Sequence, residues 1–223
     1  IKQRKYGENN MNIEINHLTK KYGNITVFDD ISLSIPDGKM TCIFGKSGCG
    51  KTTLLDIVGF LEPYQNGEIL YNGKEVENKK EQQKMLRKDI GFIFQDYGLI
   101  ENETVEQNLL LVDKIKKDKN REKHIKTVFE ELQLEESMLK KKVHELSGGE
   151  QQRVTIAKII LKNPKLILAD EPTASLDPEN KQIVLEYLKS FAEYGKTVVV
   201  VSHDTNVIKY ADYTIDLQKL KNN

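Results

Sequence analysis

The sequence has no surplus of either charge: 34 Lys and Arg stand against 34 Asp and Glu, a formal net charge of zero. A basic field that would gather nucleic acid is therefore missing, and no nucleic-acid partner is expected. Long apolar runs are also missing. Stretches such as Thr197–Val201 and Leu166–Ala169 fall far short of the ~20 residues that a membrane-crossing helix needs. Cysteine is scarce: Cys42 and Cys49 stand outside any CxxC spacing or His cluster, which excludes a disulfide framework and a zinc site and fits a reducing cytoplasm. Five prolines form no linker, and no repeat of about 20 to 50 residues is visible. The segment Ile1–Asn10 is polar, lacks an apolar core and does not begin with Met, so it is no signal peptide. Met11 is the expected native start, with residues 1–10 an extension.

What remains is a chain of 223 residues, 38% hydrophobic and 30% charged, long enough for one large domain or two small ones. Two kinds of segment alternate. Met40–Phe44 reads as a buried strand running into a glycine-rich turn and an apolar helix over Thr52–Phe60. Leu166–Ala169 and Val198–Val201 are continuous apolar runs, as in parallel strands covered on both faces. Between them Asp177 can cap a helix with Pro178 at its first position; Ile183, Val184, Tyr187, Leu188 and Phe191 recur at helical spacing until Gly195. This is a βαβ unit. Ile13–Leu18, Val27–Ile35 and Glu68–Tyr71 read instead as a small antiparallel layer, with turns at Pro36-Asp37-Gly38 and Asn72-Gly73. From Asp96 to Leu146 the helical signal dominates, with Ile125, Val128, Phe129 and Leu132 on one face. A basic run, Asp113 to Lys126, carries seven basic residues against three acidic ones and reads as a solvated helical surface or, alternatively, as an electrostatic contact with anionic lipid or a membrane subunit.

Gly45-Lys46-Ser47-Gly48-Cys49-Gly50-Lys51-Thr52 matches G-x4-G-K-[ST] between an expected strand and an expected helix. Glycines let successive N–H groups curl around a phosphate, and the helix N-terminus adds a favourable dipole. Lys51 neutralises outer phosphates, and the Thr52 hydroxyl can hold Mg²⁺. Leu166-Ile167-Leu168-Ala169-Asp170-Glu171 ends an apolar strand in two carboxylates, at the sheet end that faces the ligand crevice. Asp170 is placed as a magnesium partner and Glu171 to orient or deprotonate the attacking water. Ser147-Gly148-Gly149 precedes a helix with Val154, Ala157, Ile160 and Leu161 on one face, a second helix end able to receive an anion.

With Leu146-Ser147-Gly148-Gly149-Glu150-Gln151-Gln152-Arg153 the sequence resembles the nucleotide-binding subunit of ATP-binding cassette transporters, whose signature this is. The resemblance runs from Met11 to about Leu217 with all the family's motifs in order. It implies an α/β fold: a RecA-like P-loop NTPase core with a mostly parallel sheet, an N-terminal antiparallel layer and an inserted helical subdomain. Residues 11–223 would form one domain, with the core at about 11–95 and 154–223 and the helical part at about 96–153. The ligands it implies are ATP and Mg²⁺. Tyr22 matches the aromatic that stacks on adenine. Gly45, Lys46, Ser47, Gly48, Cys49, Gly50, Lys51, Thr52 and Thr53 would cradle the phosphates, with Thr52, Gln95 and Asp170 as the metal partners. Glu171, His203, Gln95 and Lys51 would carry the catalysis, and Gln95 would also be the hinge to the helical part. Ser147, Gly148, Gly149 and Asp177 would meet the nucleotide held by a second subunit, so that two copies, or a copy and a paralogue, sandwich two ATP molecules.

The partner this implies is a separate transmembrane permease subunit, with the chain peripheral on the inner face of the membrane. The compact form resembles the lipoprotein-releasing, macrolide-exporting and bacteriocin-export subunits, the last through Asp96–Leu110 in particular. Two other readings are a soluble cassette ATPase acting on DNA or ribosomes, which would carry a coiled-coil insertion or a second cassette, and a small P-loop kinase, which leaves Leu146–Arg153 without a role.

Overall fold

The computed structural model describes residues 10–112, 115 and 117–221. Alternating burial sets the first layer. In β1 (Ile13–Tyr22), Ile13, Ile15 and Leu18 are buried and their neighbours are not, as a strand covered on one face requires. It pairs antiparallel with β2 (Ile25–Ile35) and β4 (Asn66–Tyr71), and β5 (Lys74–Glu75) closes the order β2-β1-β4-β5. The β4–β5 turn is made at Asn72 and Gly73, both at positive φ (52° and 73°), the primed geometry that suits the twist of a hairpin.

The second sheet has the order β6-β7-β8-β3-β9, and every pair in it is parallel. Its strands are β3 (Met40–Phe44), β6 (Ile90–Ile93), β7 (Leu166–Asp170), β8 (Thr197–Ser202) and β9 (Tyr213–Asp216). Period-two alternation sorts their side chains onto two faces. Met40, Cys42, Ile167, Ala169, Val198 and Val200 join the helical segments in one core. Ile43, Leu166, Leu168, Val199 and Val201 join the antiparallel sheet and α1 (Lys51–Val58) in another. The runs read as covered on both faces are so covered.

The further helices are α2 (Lys79–Lys88), α3 (Val105–Leu110), α4 (Arg121–Glu131), α5 (Gly148–Lys162), α6 (Pro178–Glu193), α7 (Thr205–Tyr210) and α8 (Leu217–Lys221). Two differences from expectation stand out. The helix after the glycine-rich turn spans Lys51–Val58 rather than Thr52–Phe60, because Gly59 caps it and Phe60 takes a positive φ of 59°. The stretch 96–146 is less helical than its periodicity suggests. Between α3 and α5 the described residues hold α4 and two 3₁₀ turns, Glu136–Lys140 and Val143–Glu145, and Ile115 is also helical. Ile125, Val128, Phe129 and Leu132 are nonetheless buried together as expected. Of the basic run, Asp113, Lys114 and Lys116 lie outside the described residues, as do residues 1–9 of the expected extension.

Candidate functional site

Because the five strands of the second sheet run parallel, their carboxyl ends share one rim, where an open α/β sheet binds its ligand. β3 delivers the glycine-rich loop there, β6 leads to Gln95, β7 ends in Asp170 followed by Glu171, and β8 ends in Ser202 followed by His203. These segments surround a cleft of about 450 Å³ lined by Ser47, Gly48, Gly50, Lys51, Thr52, Thr53, Gln95, Asp170, Glu171 and His203, together with Val27 and Ala174. Ten residues expected in one site are thus brought together.

The loop is shaped for an anion. Gly50 precedes α1 at φ 100°, and a Cβ there would lie 2.7 Å from Val27 Cγ1 and 2.9 Å from Phe28 Cζ, so only glycine fits. Gly50 offers α1 no side-chain cap, which leaves the first-turn N–H groups and the positive end of the helix dipole for a ligand. Lys51 is buried, and its Nζ donates to the carbonyls of Gly45 (3.0 Å) and Lys46 (3.3 Å). Its charge therefore sits inside the curve of the loop.

The acidic pair is held from three sides. Glu171 has a positive φ of 43°, a strained backbone of the kind kept at functional positions. Its Oε2 accepts from Ser202 Oγ at 2.9 Å and its Oε1 lies 2.7 Å from His203 Nδ1. Asp170 forms a side-chain hydrogen bond with Thr52. Burial holds the Asp170 carboxyl above the usual range, helped by the charge of Glu171 and opposed by Thr52 and Lys51. Beneath them burial pushes the Cys42 thiol up to about 12, with the Glu171 charge adding to the effect.

A magnesium ion is what this donor set fits. A hydroxyl, a carboxylate and the Gln95 amide are hard oxygen donors at the cleft wall. No cluster of three His, Cys, Asp or Glu occurs among the described residues. Mg²⁺ typically takes one or two protein carboxylates together with the phosphates of its substrate rather than an all-protein cage.

Not every expected residue lines the cleft. Gly45, Lys46 and Cys49 are outside the lining, Gly45 so close to Cys49 that a Cβ on it would lie 2.7 Å from the thiol sulfur. Tyr22 ends β1 in the other sheet, 46% exposed, with Lys20 Nζ 4.2 Å from its ring centroid. Lys20 is buried and bonds Glu62 (2.6 Å) and the Pro63 carbonyl (2.7 Å), and Glu62 also bonds Tyr22. Sequence reading missed this clamp, since a lysine in a strand carries no sign of its burial.

Ser147, Gly148, Gly149 and Asp177 lie outside the cleft lining, at the starts of α5 and α6. Ser147 caps α5: its Oγ accepts from Glu150 N (3.3 Å), and Glu150 Oε2 accepts from Ser147 N and Oγ (both 2.7 Å). Those bonds hold the Glu150 carboxyl below its usual range. The loop after Gln95 packs on α5 as well. Tyr97 O accepts from Thr155 Oγ1 (2.9 Å), Gly98 O accepts from Lys158 Nζ (3.2 Å), and Tyr97 Oη stands where a Cβ on Gly148 would be 2.9 Å away. Lys158 therefore braces that loop.

A nucleotide-sized cleft with an anion loop, a metal-competent hydroxyl and carboxylate, and a glutamate poised against a histidine defines a phosphate-loop ATPase. Residues 28–174 match the family described as ABC transporter, and the chain belongs to that family. It is 38% identical over 216 residues to an uncharacterized ABC transporter ATP-binding protein of Methanocaldococcus jannaschii, covering 92% of this chain and 95% of the relative. It is 37% identical to a macrolide export ATP-binding/permease protein, MacB, of Campylobacter jejuni, of which it spans 33% of the length. It is 36% identical to a putative hemin import ATP-binding protein, HrtA, of Staphylococcus haemolyticus, covering 93% of this chain and 97% of the relative. The dimeric structure of the ABC transporter cassette MJ0796 superposes with a TM-score of 0.82 at 35% identity, covering 92% of this chain and 94% of that one. A structure of the same cassette in a post-hydrolysis state, bound to ADP and Pi, gives 0.81 at 34% identity. The chain is the ATP-binding, ATP-hydrolysing part of a transporter.

Proposed function

We propose that two copies of this chain close head to tail around two ATP molecules and so drive a separate membrane permease. The carrying observation is the division of the expected nucleotide contacts: one set lines the cleft, and Ser147, Gly148, Gly149 and Asp177 stand outside it on the starts of α5 and α6. Each chain then holds two half-sites, which a twofold dimer completes. Since both half-sites are intact, the homodimer is favoured over pairing with a paralogue. The dimeric cassette named above supports the same arrangement.

In the closed dimer Lys51 and the α1 N-terminus hold the phosphates, and Tyr22 stacks on the adenine. Thr52, Asp170 and Gln95 would hold Mg²⁺, which supplies charge neutralisation at the β- and γ-phosphates. Glu171 accepts the proton of the attacking water, while Ser202 and His203 fix its two oxygens. Residues 96–153 act as the helical part hinged at Gln95, and the chain sits peripherally on the inner face of the membrane. No described helix is long and apolar enough to cross a membrane; the path across it belongs to the proposed permease. The proposed cargo class is an exported peptide, lipoprotein or antimicrobial compound. The likeness to MacB and the resemblance of Asp96–Leu110 to the bacteriocin-export subunits support export, although relatives named for methionine and hemin import are equally similar.

The test is steady-state hydrolysis by the purified chain. Glu171→Gln is expected to keep MgATP affinity while kcat falls by ~10²–10⁴-fold, the usual range for loss of a general base. An unchanged kcat would remove Glu171 from the reaction.

A further inference from the structure

The starts of α5 and α6 are joined through one side chain with no role so far. Asn180 stands in the first turn of α6, over Gly149 in the first turn of α5. A Cβ on Gly149 would lie 2.7 Å from each of Asn180 Cγ, Oδ1 and Nδ2. The amide is therefore seated in the space a side chain at 149 would take. Both of its polar atoms are committed. Oδ1 accepts from Arg153 Nη1 of α5 at 2.7 Å, and Nδ2 donates to Asp177 Oδ2 at 2.6 Å. The Asn180 backbone N–H donates to the other Asp177 oxygen at 3.0 Å. The same contacts hold the Asp177 carboxyl below its usual range.

We propose that Asn180 is a positioning residue that locks the Ser147–Gly149 turn to the Asp177 turn, so that both contacts to the opposite subunit's nucleotide form or fail together. The inference rests on the sandwich reading above. Its physical basis is geometric: the bonds to Arg153 and Asp177 fix the amide between two helix starts, and the absence of a Cβ at Gly149 lets those starts approach. Misplacement of a binding group by about 1 Å can cost ~10²-fold. Gly149 on this account is glycine because of Asn180, whereas a glycine needed only for close approach to the nucleotide would be indifferent to residue 180.

The experiment follows from that contrast. In the Glu171→Gln background, the dimer dissociation constant with MgATP is measured by analytical ultracentrifugation for the parent, Gly149→Ala, Asn180→Ala and the double variant. The MgATP affinity of each monomer serves as the folding control. Gly149→Ala is expected to weaken the dimer by ~10²-fold. Asn180→Ala removes all three atoms that the new Cβ would strike, so the double variant should recover at least ~10-fold of that loss. Asn180→Ala alone should weaken the dimer and, with Glu171 restored, lower kcat while leaving the monomer's ATP affinity unchanged; a merely structural role would move both. Equal failure of Gly149→Ala with Asn or Ala at position 180 would overturn the proposal, as would an Asn180→Ala dimer as tight as the parent's. A parent that stays monomeric with ATP bound would instead overturn the sandwich, and this inference with it.

Discussion

At the scale of single residues, the site depends on groups held against their backbone or solvent preference. Glu171 keeps a left-handed φ because Ser202 and His203 take its two oxygens and its N–H donates to Val201 O at 3.0 Å. The two cysteines diverge for the same kind of reason. Cys42 is fully buried with its thiol pushed up to about 12, while Cys49 is partly exposed in the phosphate loop. Since the thiolate is the nucleophile, alkylating agents are expected to modify Cys49 alone, to block ATP hydrolysis, and to be slowed by bound ATP. Peptide mass mapping with parallel rate measurements checks this; normal hydrolysis by fully Cys49-modified protein would contradict it. The phosphate loop, Asp170 and Glu171 were legible because their residue types and spacing follow from phosphate chemistry, whereas His203 was marked only by the family resemblance. Ser202, Lys20 and Asn180 were not, since each acts through a contact made only when distant segments meet.

Among the elements, α5 shows how a local signal carries function. Ser147 and Glu150 form a capping box at its start, and replacing such a cap with alanine costs roughly 1 kcal/mol. Glu150 adds a pH dependence of definite sign. Its folded pKa lies below the ordinary 4.5 because Ser147 bonds the charged form. Its contribution is therefore full above the ordinary value and is lost as pH falls through the lowered one. Urea denaturation between pH 3 and about 7 should show stability lost on the acid side. That loss should be smaller in Glu150→Gln; an identical profile in both proteins would remove Glu150 as its source. The strands β3, β7 and β8 and the helices α5 and α6 were readable from apolar runs and caps. By contrast, α2 buries none of its residues and β9 has no buried residue, so neither carries an apolar run that would mark it in the sequence. Among the described residues of 96–146 the apolar side chains pack from turns and short helices, whose spacing reads in sequence like that of longer helices.

For the whole molecule, the parallel sheet carries the function by its topology. One face packs on the antiparallel layer and α1, the other on the helical segments, and the carboxyl rim gathers loops from β3, β6, β7 and β8 into one cleft. The starts of α5 and α6 remain outside that cleft, so a single copy presents its nucleotide to only half of the groups that would hold it. On the proposed reading, ATP between two copies would complete both sites at once. The most direct test is the solution mass of Glu171→Gln with and without MgATP, alongside the same protein carrying Ser147→Arg. The account expects a dimer only with MgATP, abolished by Ser147→Arg while ATP still binds. A chain that stays monomeric with ATP bound would contradict it, as would a dimer indifferent to Ser147.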